Sequence, residues 1–279
     1  MSSGPSSDPI VRGESLAYRY PSGPHALVDV DIEVCPRELV VVIGPNGSGK
    51  STLVKVLSGL LSPDAGRVTV APQIRIETLS PSERARRIAL VPQFLPAVPE
   101  VSVRTFVTGG RYAHRQRGFA AALLGSSQSG SDQHAATEAK RACDALDLAE
   151  RAMTELSGGQ RQRVLIARAV AQEAESLLVD EPTNALDPEH QIQVFELVSS
   201  LAQQGRGALV VTHDLNLAAQ FATRIVLMNA GRVVIDASPE QVLRREILEP
   251  VYGRHLAYIE RASADGRSVP IVVPARGKL

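Results

Sequence analysis

Hydrophobic residues gather in short β-rich blocks along the first part of the chain, at 15–20, 28–34 and 39–43, each strand-sized. The third block predicts a buried strand that runs straight into a glycine-rich turn, then a helix over about 50–59 and a strand near 67–70. Together these predict an α/β core edged by an antiparallel sheet. Between about 99 and 155 the β-rich blocks give way to Ala- and Arg-rich stretches such as 134–151, which predicts a mainly helical insert. Strand and helix signals then alternate at 177–179, 188–203, 208–212, 215–221 and 225–228. Such alternation predicts a mostly parallel sheet covered by helices. No internal repeat is visible, so a single unit is expected.

Composition narrows the class. The 279 residues are 44% hydrophobic, enough for a packed core, which excludes disorder as the main state. Acidic and basic residues balance at 30 each, so no overall field points to nucleic acid or an anionic membrane, and no nucleic-acid partner is expected. Cys35 and Cys143 lie far apart, in no metal-like spacing, and the opening MSSGPSSDP has no apolar signal core, so a reducing, cytosolic location is expected. Every apolar run falls far below the roughly 20 residues that span a bilayer, so work at a membrane would pass through a partner. Residues 1–9 read as a disordered tail and 125–133, Ser/Gly-rich, as a flexible linker.

The turn after the 39–43 block reads Gly44-Pro45-Asn46-Gly47-Ser48-Gly49-Lys50-Ser51-Thr52, a G-x-x-x-x-G-K-[ST] phosphate loop in its strand–loop–helix context. Glycines let the loop turn its N–H groups around phosphate oxygens, and the helix N-terminus adds a positive dipole end. Lys50 is then placed for the β/γ-phosphates of ATP, Ser51 for Mg²⁺, and Thr52 for support of the loop or the α-phosphate. Lys50 is also one of only four lysines in a chain whose positive charge is nearly all Arg. A second apolar block, Leu177-Leu178-Val179, ends in Asp180 and Glu181. Beside a phosphate loop the first acid suits Mg²⁺ through water, and the second suits polarising the water that attacks the γ-phosphate.

Leu156-Ser157-Gly158-Gly159-Gln160, opening an Ala-rich helix, resembles the signature of the ABC (ATP-binding cassette) family. Ser157 can cap that helix, and the glycines allow its N–H groups close to a γ-phosphate. A second phosphate site on one chain makes sense if Ser157, Gly158, Gly159 and Gln160 close over the ATP of a second copy. The resemblance implies such an ATP-dependent head-to-tail dimer. It further implies an α/β fold, a P-loop NTPase cassette with a RecA-like core, an antiparallel β subdomain and a helical signature subdomain. Tyr20 resembles the aromatic that stacks on adenine, with Tyr18 as the neighbouring alternative; Gln93 resembles the Q-loop glutamine, a Mg²⁺ and water ligand that senses the transmembrane partner. Asp187, in Asn184-Ala185-Leu186-Asp187, resembles the D-loop aspartate that speaks to the opposite subunit, and His213 the switch histidine at the γ-phosphate.

Within that family, Ser80 to Gln93, Gly110-Arg111-Tyr112-Ala113-His114, His213 to Ala219 and Pro250-Val251-Tyr252-Gly253 are similar to ATPases that import ferric siderophores, haem and cobalamin. This implies a cassette over 10–245 with its helical subdomain over about 99–160, and an extension over 246–279 that holds a β-hairpin turning at Asp265-Gly266. It also implies a peripheral position on the cytoplasmic face of the inner membrane, on an integral permease dimer, with a substrate-binding protein engaged indirectly. Zinc or manganese importers share parts of the pattern and remain open, as does a soluble ABC ATPase outside transport.

Overall fold

The computed structural model describes residues 8–114, 130–183, 186–262 and 268–275. Its centre is a six-stranded sheet in the order β10 (Arg232–Ala237), β9 (Arg224–Asn229), β3 (Leu39–Ile43), β8 (Gly207–Val211), β7 (Ser176–Asp180), β6 (Ile88–Val91). All of its neighbouring strands run parallel except β10, which pairs antiparallel with β9. Every residue of β3, β7 and β8 is buried, as expected of strands covered on both faces. Alternate residues serve two cores: Val41, Val179 and Val210 face one side, Val42, Leu178 and Leu209 the other.

On the second side, α1 (Lys50–Leu57) is packed beneath an antiparallel sheet in the order β2 (His25–Val34), β1 (Val11–Arg19), β4 (Ala65–Val70), β5 (Ile74–Arg75). Leu16, Leu27 and Val30 from that sheet meet Leu53, Val56 and Leu57 of the helix. On the first side lie α5 (Gly158–Ala171), α6 (Pro188–Gln203) and α7 (Leu215–Phe221), which contribute Ile166, Phe195 and Leu217. The segment expected to be helical supplies α3 (Val103–Thr108), a 3₁₀ turn at Gly109–His114 and α4 (Gly130–Ala142). It joins the first core through Phe106, Ala136 and Ala139. Near the C-terminus come α8 (Pro239–Val242), α9 (Arg245–Tyr252) and an antiparallel hairpin, β11 (Leu256–Ala262) with β12 (Ser268–Pro274), which packs Val272 into the same core.

Three local expectations need correction. The first strand begins at Val11 rather than 15, and Ser15 sits at φ 47 inside a bulge that breaks the two-residue alternation. Residues 130–133, read as linker, form the first turn of α4, because Asp132 is buried against Arg111. The Ala-rich stretch at 134–151 is helical only as far as Ala142, and Asp144 then turns the chain at φ 48. Residues 125–129, Asn184-Ala185 and the Asp265-Gly266 turn lie outside the described residues.

Candidate functional site

The carboxyl ends of β3, β6, β7 and β8 all open on one edge of the central sheet, where parallel α/β folds gather ligands. From β3 the chain enters the loop at Gly44, and α1 begins directly after Gly49, which has φ 104. A Cβ on Gly49 would stand 2.3 Å from the Ala26 carbonyl, so neither the dihedral nor the space admits another residue. Lys50 is only 5% exposed, and its Nζ curls back to donate to the Gly44 carbonyl at 2.8 Å and the Pro45 carbonyl at 3.0 Å. Burial lowers its pKa, opposed by Glu181 and Asp180. The Ser48 hydroxyl is buried inside the loop, without a hydrogen-bond partner among the described residues. A cleft of about 600 Å³ lies over the loop, with Tyr20, Lys50, Ser51, Gln93, Glu181 and His213 in its lining.

Strand β7 delivers both acids. Asp180 ends the strand in register with Val211, and its Oδ1 accepts from the Ser51 hydroxyl at 3.0 Å. Burial raises its pKa, tempered by the Ser51 hydrogen bond and reinforced by Glu181. Glu181 leaves the strand at φ 48, a left-handed conformation that costs a non-glycine residue free energy, while its N–H donates to the Val211 carbonyl at 3.1 Å. The turn swings its carboxylate toward the cleft, where Gln93 Nε2 donates to Oε2 at 2.7 Å and His213 Nε2 meets Oε1. Gln93 follows β6 and His213 follows β8, so three strands set this triplet. A carboxylate so flanked can orient a water and accept its proton.

Tyr20 is 38% exposed, lines the cleft and places its hydroxyl 3.4 Å from Thr52 Oγ1, whereas Tyr18, partly buried, packs against the core beneath the antiparallel sheet. The two rings meet edge to face at 5.0 Å. Pro24, His25 and Ala26, at the turn between β1 and β2, complete the wall and were missed in the sequence. Their signal, a Pro/Gly turn between two strands on the same sheet as Tyr20, was present.

Ser157, Gly158, Gly159 and Gln160 are not brought to this cleft. They form a separate, solvent-facing start of α5, where the Ser157 Oγ accepts from the Gln160 N–H at 3.3 Å and the Gln160 side chain accepts from the Ser157 N–H at 3.1 Å. Asp187 is also outside the cleft lining: it caps α6, accepting from the His190 N–H at 3.0 Å, and the backbone and ring of His190 hold its carboxyl below the usual range.

A family model for the ABC transporter matches residues 27–184, which span the phosphate loop, the Ser157 motif and both acids. The chain belongs to the ABC transporter family. The cassette is 35% identical over 266 residues to the ferric enterobactin transport ATP-binding protein FepC of Escherichia coli K12, covering 95% of this chain and 93% of that one. It is 39% identical over 256 residues to the hemin import ATP-binding protein HmuV of Rhodococcus jostii RHA1, covering 92% and 84%. Among solved structures it matches a chain of an inward-facing transporter assigned to the metal-chelate type, with a TM-score of 0.78 and 28% identity over 96% of this chain and 98% of that one. It also matches a dimeric ATP-binding cassette in a post-hydrolysis state bound to ADP and Pi, with a TM-score of 0.71 and 28% identity over 82% and 99%. No helix among the described residues is long and apolar enough to cross a membrane.

Proposed function

We propose that the cassette binds ATP with Mg²⁺ in the cleft above Lys50, hydrolyses it within a head-to-tail dimer of two copies, and thereby energises uptake of a metal chelate of the siderophore, haem or cobalamin type. The observation that carries the reading is the Glu181 carboxylate held between Gln93 and His213 beside the Ser51–Asp180 pair. Relatives named for ferric enterobactin and hemin supply the substrate class, and the dimeric cassette with ADP and Pi supplies the assembly.

In this reading Lys50, desolvated and poised on two loop carbonyls, exchanges those partners for the β/γ-phosphate oxygens. The Ser51 hydroxyl and Asp180 carboxylate, 3.0 Å apart, and the amide oxygen of Gln93 in the cleft wall are oxygen ligands, which fits a hard cation such as Mg²⁺. When bound, that ion supplies neutralisation of phosphate charge. Glu181 orients the attacking water and takes its proton, while Gln93 and His213 hold the carboxylate in place. Tyr20 stacks on the adenine, and Thr52 supports the loop. Ser157, Gly158, Gly159 and Gln160 close on the ATP of the second copy, with Asp187 at the seam. A permease dimer, itself fed by a substrate-binding protein, docks the pair at the cytoplasmic face of the membrane, and closure of the two cassettes pulls on it.

The test is Glu181→Gln. The variant should retain ATP affinity, hydrolyse ATP about 100-fold or more slowly, and elute as a dimer only when ATP is present. A variant that remained monomeric with full turnover would contradict the assignment.

A further inference from the structure

The Gly110-Arg111-Tyr112-Ala113-His114 stretch has no part in the cleft, yet three parts of the cassette converge on it. In the 3₁₀ turn at Gly109–His114 side chains three residues apart eclipse one another, so Arg111 and His114 project together. Both reach the C-terminal end of α5. Arg111 Nη1 donates to the Ala171 carbonyl at 2.9 Å, and His114 Nε2 donates to the Gln172 carbonyl at 2.7 Å. Such carbonyls lack partners within their own helix, so a helix end held this way is fixed in place.

The clasp is built tightly. Arg111 is only 7% exposed and is itself anchored by Asp132, at 3.0 Å, and by Glu173. Gly110 lets the turn press against α5, since a Cβ there would stand 2.4 Å from the Arg168 carbonyl. On its other side the turn grips α2 (Pro81–Arg87), the helix that leads into β6 and Gln93. The Tyr112 hydroxyl donates to the Pro81 carbonyl at 3.0 Å, and Arg86 Nε donates to the Ala113 carbonyl at 2.8 Å. Gln172 closes the circuit, its side-chain amide donating to the Ala85 and Ile88 carbonyls at 2.6 and 2.9 Å.

Helix α5 is a rod of 14 residues, about 21 Å long. Its far end presents Ser157. We infer that Arg111 and His114 are positioning residues for ATP hydrolysis, locking the C-terminal end of α5 to the α2–β6 unit so that Gln93 and Ser157 move as one body. Neither touches the nucleotide cleft; both act through α5. The inference rests on the ATPase reading above and adds a route by which the Gln93 side of one cleft sets the signature presented to the other copy.

The experiment uses the full chain carrying His114→Ala, His114→Gln or Arg111→Lys, compared with wild type. Turnover is read at saturating Mg-ATP, alongside ATP affinity, melting temperature and ATP-driven dimerisation in a Glu181→Gln background. His114→Ala should lower kcat about tenfold, as expected when a reacting constellation is displaced, and weaken dimerisation, with ATP affinity unchanged within about twofold. His114→Gln, which keeps a donor for the Gln172 carbonyl, should restore most of the rate. Arg111→Lys should show the same defect as His114→Ala, because an ammonium cannot fork between Asp132 and the helix end. Equal kcat and dimerisation in wild type and His114→Ala, with wild type active, would overturn the inference alone. So would a loss that follows only the folded fraction and is not rescued by Gln. A wild-type chain that hydrolyses no ATP would remove the proposed function and this inference together.

Discussion

The burial of Asp180 and Lys50 carries an electrostatic cost. The sign follows from the direction of each shift. Burial raises the folded pKa of Asp180 above its unfolded value, so the group's contribution is present at acid pH and is lost as pH rises through that folded pKa. At neutral pH the ionised carboxylate therefore opposes folding, and Lys50, with its pKa lowered by burial, does the same in its charged form. Asp180→Asn should consequently melt above wild type at pH 7 without nucleotide, and the difference should shrink as pH falls through the carboxylate range. The same variant should lose Mg²⁺-dependent ATP affinity. Calorimetric scans over pH, with a parallel titration of Mg-ATP, check both halves. A variant that melts at or below wild type across the range would show that Asp180 stabilises the empty cleft. Glu181 carries a different cost, in its left-handed backbone, which holds the carboxylate at Gln93 and His213.

Among the elements, α5 has the clearest division of labour, with Ser157 capping one end and Arg111 and His114 holding the other. If its N-terminus serves the second copy, a Lys50→Ala chain and a Ser157→Arg chain share a dimer with one doubly damaged site and one intact composite site. Mixing the two inactive proteins should restore up to about half the wild-type activity per mixed dimer, since one of two sites is whole. Demonstrated mixed dimers with no recovered hydrolysis would argue against the shared site. Much of this layout was legible because its signals are local. The phosphate loop, the acids ending β7 and the Ser157 motif each lie where an apolar run meets a turn or cap. What escaped depended on distant partners or on broken periodicity. The Ser/Gly composition at 130–133 hid the first turn of α4, which is fixed by a partner 21 residues away, Arg111 with Asp132. The bulge at Ser15 hid the beginning of β1. Strand β10 escaped because it is a half-exposed edge, although Ala230 and Gly231, both at positive φ, mark a tight hairpin turn before it. Tyr20 could not be separated from Tyr18 by sequence, since the choice depends on which ring leaves the core for the cleft.

Across the whole molecule, the two cores lie on opposite faces of the central sheet, and the nucleotide cleft opens at its carboxyl edge. One core carries the antiparallel sheet and α1; the other carries α5, the Arg111 clasp and the C-terminal hairpin. In the proposed dimer, ATP draws the Ser157 end of one copy onto the cleft of the other, and the central sheet between two separately packed layers lets each core stay intact as it does so. The direct measurement of purpose is uptake of labelled ferric siderophore, haem and cobalamin by cells lacking the gene, complemented with wild type or Glu181→Gln. Loss of uptake of one of these chelates, restored by wild type and not by Glu181→Gln, is the expected result. Normal uptake of all three together with a fall in zinc or manganese uptake would contradict the chelate assignment.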